Sequence, residues 1–303
     1  MRKDLIKGLV GASVAFIVIV IGSYVIAAQT AITGDWTANA NDQKDGKIYL
    51  SFERRTEKGG RNQNGQNYDY SDLQGLTRDQ AQSGKVSFRL VREAGTIDCE
   101  GTFQNGRGAG TFTFSPNTGF IEAMRARGFD FTKTKTKYGP ENDVNDRLFA
   151  AATIGVTTKL ADDLNSANFG PLTVDDLFKA AIFKITPEFM SEMKATGFPN
   201  LSMEDLVKAR IFKIDADYVR QVRDMGFDKE DFEGLVKFRI FKVTPQLLAS
   251  LRDEGFTNLS SEQVVKFRIF NIDSDFIRQA KAEDPNVTVE DLVQMKIGVR
   301  RRN

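Results

Sequence analysis

Arg210, Arg239 and Arg268 recur at steps of 29 residues, and each follows a lysine by two positions: Lys208, Lys237 and Lys266. A guanidinium binds a carboxylate through two parallel hydrogen bonds, so a column of arginines can read acidic groups on a partner. Each Arg also lies four residues after an apolar residue, Leu206, Leu235 or Val264, which sets it beside the buried stripe of a helix. That placement equally admits a structural role, with stems covering the core edge and heads pairing with acids such as Asp217 or Asp275. These six cations are the candidate partner-binding residues.

Few other side chains offer chemistry. The chain has no histidine, which removes the usual general base near neutral pH, the catalytic triads and most zinc and haem sites. Most of the acids stand at helix starts, where capping explains them, and Asp98 and Glu100 alternate on one face of a strand where water satisfies them. No catalytic, cofactor-binding or metal-binding residue is assigned, and the chain is read as non-enzymatic. Lysine and arginine total 42 against 41 acids, a net charge of +1, so no basic field exists to neutralise a nucleic acid. The single Cys99 falls on the apolar side of the alternating segment TIDCEGTF, with Ile97 and Phe103, and is expected to be a buried structural thiol.

The elements that must position the cations are helical. Phe189, Tyr218, Leu247 and Phe276 start equivalent apolar patterns at 29-residue steps, with Leu160 one step earlier. Thr186-Pro187 and Thr244-Pro245 supply an N-cap followed by a proline in the first turn, and Asp215 and Asp273 cap the alternate copies. Gly197, Gly226 and Gly255, with Asn168 before them, stand where a helix end needs the left-handed conformation. A second helix follows in each copy, announced by LTVDDL, LSMEDL, LSSEQV and VTVEDL, where Thr173, Ser202, Ser260 and Thr288 can cap. On these helices Asp175–Lys179, Glu204–Lys208, Glu233–Lys237 and Glu262–Lys266 are spaced for i, i+4 ion pairs. One such two-helix unit cannot cover its own apolar face. Stacked copies can, so residues 118–303 are expected to form an α-solenoid, with FIEAMRARGF at one end and the altered last copy at the other as caps.

Ahead of the repeats, residues 33–117 alternate with period two. Ile48, Leu50 and Phe52 point one way, as do Val86, Phe88 and Leu90, and Asn105-Gly106 suits a type I′ hairpin turn before Phe112 and Phe114. A small antiparallel β domain follows, closed by Trp36 and filled by its own side chains, although a small-molecule ligand in its cup is an alternative. The stretch from Glu57 to Asn67, rich in Gly, Asn and Gln, is read as a mobile loop. The fold class is therefore α+β.

The run from Gly8 to Ala28 carries no charge over 21 residues, which at about 1.5 Å per residue spans a bilayer core. Its length favours a retained transmembrane anchor, residues 1–32, over a cleavable signal peptide that would leave the protein secreted. Arg2, Lys3 and Lys7 precede the run, so the N-terminus is expected in the cytoplasm and the rest outside it, single-pass in an inner or plasma membrane.

Units such as ITPEFMSEMKATGFPNLSMEDLVKARIF resemble the helical repeats in extracytoplasmic segments of bacterial membrane sensor proteins, relatives of the beta-lactam-sensing antirepressor metallopeptidases. The resemblance covers about residues 118–299. The His-Glu-x-x-His zinc helix of those peptidases has no counterpart here, so it implies a sensory or regulatory part without the peptidase activity. The expected function is binding of a partner protein or peptide through the repeats. The alternative is sensing of a small ligand or envelope component by the β domain, with the repeats as output.

Overall fold

The computed structural model describes residues 32–41, 46–55, 61–133, 144–168 and 170–298. The run Gly8–Ala28 lies outside them. Among the described residues no helix is long and apolar enough to cross a membrane. The fold is α+β: a curled, fully antiparallel seven-stranded sheet, then twelve helices among the described residues.

The strands are β1 (Ile32–Asn39), β2 (Ile48–Arg55), β3 (Arg61–Tyr68), β4 (Leu73–Gln74), β5 (Ser83–Arg92), β6 (Gly95–Gln104) and β7 (Arg107–Pro116), in the spatial order β3-β2-β1-β7-β6-β5-β4. The curl follows from connectivity. Tyr68 and Leu73 end and begin strands on opposite edges, yet five residues reach at most about 17 Å, whereas six strand spacings of a flat sheet span about 29 Å. The two edges must therefore approach each other.

The alternating residues face inward as their spacing requires: Ile48, Leu50, Phe52, Phe88, Leu90, Ile97, Cys99, Phe112 and Phe114 are all buried. Trp36 lies against Phe88 and Phe103 and donates from its indole Nε1 to the Glu100 carbonyl at 3.1 Å. Room for the indole comes from Gly101 and Gly108, where a Cβ would run into its six-membered ring. Asn105 and Gly106 both take positive φ, 51° and 73°, and form the tight turn between β6 and β7.

The stretch read as a loop is in part a strand. β3 pairs along its length with β2, from Ile48–Tyr68 to Arg55–Arg61. An edge strand needs only one partner and little apolar content, and here the backbone ladder is joined by a Gln63 Nε2 to Ser51 Oγ hydrogen bond of 3.0 Å. Residues 56–60 lie outside the described part.

After α1 (Thr118–Arg125), the helix α2 (Val144–Ile154) packs its Leu148, Phe149, Ala151 and Ala152 inward. The spacing of apolar residues did not single this helix out, and it closes the sheet. Phe149 stacks on Phe112 with centroids 5.2 Å apart and meets Phe114 and Phe52 edge-on. Tyr68 Oη and Gln66 Nε2 both donate to the Thr153 carbonyl near the helix end, meeting a carbonyl that the helix itself leaves open. Burial pushes the Tyr68 hydroxyl up to about 12. The hollow of the sheet is thus filled by the molecule's own rings.

The remaining helices alternate between two kinds. The first kind comprises α3 (Thr158–Ser166), α5 (Pro187–Ala195), α7 (Ala216–Asp224), α9 (Pro245–Asp253) and α11 (Ser274–Glu283). The second comprises α4 (Val174–Phe183), α6 (Met203–Phe212), α8 (Phe232–Ile240), α10 (Ser261–Ile269) and α12 (Val289–Lys296). Each kind packs on its own next copy, α4 on α6 on α8 on α10 on α12, and α3 on α5 on α7. Every one of these ten helices has a side-chain N-cap, including Asp231 on α8, and α4, α6, α10 and α12 have reciprocal capping boxes.

Gly197, Gly226, Gly255 and Asn168 are left-handed as expected. A second left-handed series, Lys184, Lys213, Lys242 and Asn271, ends the second-kind helices at φ between 48° and 53°. Non-glycine residues tolerate this because the next residue closes a Schellman bond and buries its side chain. Ile185, Ile214, Val243 and Ile272 donate to Ala180, Ala209, Phe238 and Phe267 at 2.8–2.9 Å.

Candidate interaction surface

The second-kind helices carry all six candidate cations. Arg210 Nη2 donates to the Lys184 carbonyl at 2.8 Å, Arg239 Nη2 to the Lys213 carbonyl at 2.7 Å, and Arg268 Nη2 to the Lys242 carbonyl at 3.2 Å. Those acceptors belong to the left-handed residues that end the previous copy's helix. Two of the guanidiniums also lie over rings, Arg210 at 3.7 Å from the Phe189 centroid and Arg239 at 3.5 Å from that of Tyr218. Each Arg therefore clamps one repeat to the one before it, meeting the negative end of a helix dipole. The expected partners are otherwise engaged: Asp217 pairs with Arg220, and Asp275 with Arg278.

The first-kind helices use the same device. Lys194 Nζ donates to the Ala167 and Asn168 carbonyls, Arg223 Nη2 to that of Thr196, and Lys281 Nζ to that of Glu254. On α5, α7 and α11 a cation thus reaches the carbonyl end of the helix one repeat back.

The lysines behave differently from their helical spacing. Asp175 and Glu262 act on Lys179 and Lys266 only at a distance, and the close ion pairs are made elsewhere. Lys179, Lys208 and Lys266 reach across the groove to Glu204, Glu233 and Glu290 on the next second-kind helix. The hydrogen bond that each lysine donates to that glutamate raises the lysine's pKa, and Lys179 and Lys208 are also met by Asp176 and Asp205 three residues back. Pairs of this kind stay screened by solvent, so they fix register more than they add stability. Lys237 is the exception and forms no such rung among the described residues.

Spacing did not disclose a further series. Ile182, Ile211, Ile240, Ile269 and Ile297 stand at the ends of the five second-kind helices and are each about half exposed, at 49–54%. The signal was present in the repeated Ile-Phe-Lys of RIFKI and RIFKV. An isolated exposed isoleucine is ordinary, but a row of five along one edge of stacked helices is an apolar strip. Each of the first three is followed two residues later by an exposed lysine, Lys184, Lys213 or Lys242.

Elsewhere, Asp98 is not merely solvated: it pairs across the strands with Arg89 at 2.6 Å. Cys99 is buried, and burial pushes its thiol well above the usual range, with the Asp98 carboxylate adding to the shift. Such a thiol is unreactive in the folded chain. Among the described residues no cluster of three or more Cys, Asp or Glu is arranged to hold a metal ion.

Comparison with protein-family models, curated proteins and solved structures finds no match to this chain.

Proposed function

We propose that this protein is a membrane-anchored, extracytoplasmic interaction or regulatory protein without enzymatic activity, whose helical array is an α-solenoid that binds a partner protein or peptide. The observation that carries this reading is the apolar strip of Ile182, Ile211, Ile240, Ile269 and Ile297 on one edge of a tightly bonded stack. Arrays of stacked repeats present long surfaces of fixed spacing, and a partner that lies along the edge covers side chains that the fold itself leaves exposed. The anchor rests on the uncharged run Gly8–Ala28 and the basic residues before it.

Two measurements test the reading together. Protease added to intact spheroplasts is expected to digest residues 32–298, and crosslinking in intact membranes is expected to join the chain to a discrete second protein. Protection of the repeats until lysis overturns the topology. Absence of any crosslinked species other than the chain itself overturns the interaction role.

A further inference from the structure

Successive repeats are tied together by the same few bonds, and one step lacks nearly all of them. From α4 to α6 the ties are the Lys179–Glu204 rung and Arg210 on the Lys184 carbonyl; from α6 to α8 they are the Lys208–Glu233 rung and Arg239 on the Lys213 carbonyl. Between α5 and α7, Arg223 bonds the Thr196 carbonyl and the Ala216 N–H donates to Glu192 Oε1 at 3.1 Å. Phe198 also meets Phe232 of the next repeat edge-on, with centroids 5.9 Å apart.

At the following step, from α7 and α8 to α9 and α10, these positions are altered or silent. Lys237 and Glu262 stand at the rung positions and form no ion pair among the described residues. Gly234 replaces the aspartate that meets Lys179 and Lys208 from three residues back. Pro245 stands where Ala216 does and has no N–H to give. Arg252 follows Arg223 by one repeat, yet among the described residues it bonds no carbonyl one repeat back. Ser261 takes the place of Phe232, so Phe227 has no ring to meet across the step. Leu247 and Leu248 are half-buried where Phe189, Met190, Tyr218 and Val219 are buried. What remains is Arg268 on the Lys242 carbonyl at 3.2 Å, the longest of the three arginine bonds and one with no ring beneath it. The cleft of about 480 Å³ between α8 and α10, where Phe241, Val265 and Phe270 mix with Glu230, Lys237 and Lys266, is the gap this leaves.

Beyond the step the helices hold to one another. Of the buried apolar residues between 245 and 298, only Val264 and Val265 belong to the core of the preceding helices, while Leu251, Phe267, Ile277, Ala280 and Leu292 lie in a cluster of their own. Lys266 pairs with Glu290, Arg278 with Glu254, and Lys281 bonds the Glu254 carbonyl.

We propose that the step between α8 and α10 is a joint, at which the last two repeats, α9 to α12, part from the array and unfold as one unit in a minor state of the native protein. In a stack each repeat touches only its neighbours, so the array parts first where neighbours hold each other least. Two repeats are fewer than a stack needs to stand alone, so parting and unfolding are one event. The helices up to α8 remain on the core that runs from the sheet. The joint goes beyond the interaction role proposed above and does not depend on it. Ile182, Ile211 and Ile240 lie before it, and Ile269 and Ile297 beyond it, so opening shortens the apolar strip. A partner that needs the whole strip would hold the joint closed.

Hydrogen exchange of the full-length chain in mild detergent, read by mass spectrometry through a series of urea concentrations below the unfolding transition, tests the joint. The most protected amides of α9, α10, α11 and α12 are expected to share one opening free energy and one urea dependence, with protection about tenfold lower than in α5 to α8. Arg268→Gln removes the remaining tie across the joint and is expected to lower the protection of α9 to α12 severalfold. Arg239→Gln breaks a tie that survives the opening, so it weakens the closed and open states alike. Protection in α5 to α8 should then fall about thirtyfold while that in α9 to α12 stays unchanged.

An equal fall in both regions of Arg239→Gln would mean that α9 to α12 open only with the whole array, and overturns the joint. Protection that declines stepwise from α9 to α12 is fraying from the chain end and overturns the single unit. Unchanged exchange of α9 to α12 in Arg268→Gln overturns the placement of the joint between α8 and α10.

Discussion

Arg239 and Arg268 occupy one repeat position but differ in what lies beneath them. Arg239 covers the Tyr218 ring at 3.5 Å and bonds the Lys213 carbonyl at 2.7 Å, whereas Arg268 makes a 3.2 Å bond and the equivalent residue under it is Leu247. A cation over a ring contributes about 0.5–2 kcal/mol, and a charged hydrogen bond about 1.5–3 kcal/mol. Arg239→Gln is therefore expected to lower stability by about 2 kcal/mol and Arg268→Gln by about 1 kcal/mol or less. Urea denaturation of both variants checks this, and equal losses would show that the ring contributes nothing. The arginines were legible as a recurring feature from their spacing. Their partners were not, because the acceptors are backbone carbonyls one repeat away, and a carbonyl has no letter in the sequence.

At the scale of the element, helix ends were the most readable parts. Gly226 ends α7 at φ +96°, and a Cβ added there would meet nothing within 4 Å. Gly226→Val therefore isolates backbone strain from packing. It is expected to cost about 1–2 kcal/mol, measured as a lower urea midpoint with an unchanged slope. An unaffected midpoint would mean that the helix end can relax out of the left-handed region at no cost. The helix ends at Lys184, Lys213 and Lys242 were not anticipated, since lysine has no preference for that conformation. The apolar residue that follows each one imposes it, by closing a bond five residues back and burying its own side chain.

Across the whole molecule, a single apolar core runs from Ile32 in the sheet to Val265 in α10, and a smaller cluster around Leu251, Ile277 and Leu292 serves the last repeats. Phe149 joins the sheet to the helices, lying among Phe52, Phe112 and Phe114. Phe149→Ala is expected to cost about 3–5 kcal/mol, the range for a large ring removed from a core. Trp36, the only tryptophan, reports the sheet by fluorescence, and far-ultraviolet circular dichroism reports the helices. Both transitions should move together. A shift in the Trp36 transition alone would show that sheet and repeats unfold as separate bodies.

The amino-acid sequence by itself determined the α+β class, the alternation that buries Ile48, Leu50, Phe52, Phe88 and Phe114, the Asn105-Gly106 turn and the starts of the repeated helices. Each of these depends on residues within a few positions of one another, where side-chain period and backbone preference act directly. Tertiary structure decided that Arg61–Tyr68 is a strand, that α2 closes the sheet, and that Lys179, Lys208 and Lys266 pair across the groove with a glutamate of the next repeat. It also decided that the step between α8 and α10 is open. These outcomes depend on groups that meet only when the chain has folded: a neighbouring strand's backbone, a ring 37 residues away between Phe112 and Phe149, a glutamate on the next repeat. Local preference is weak or silent at such places, and burial and hydrogen-bond satisfaction across the fold set the result.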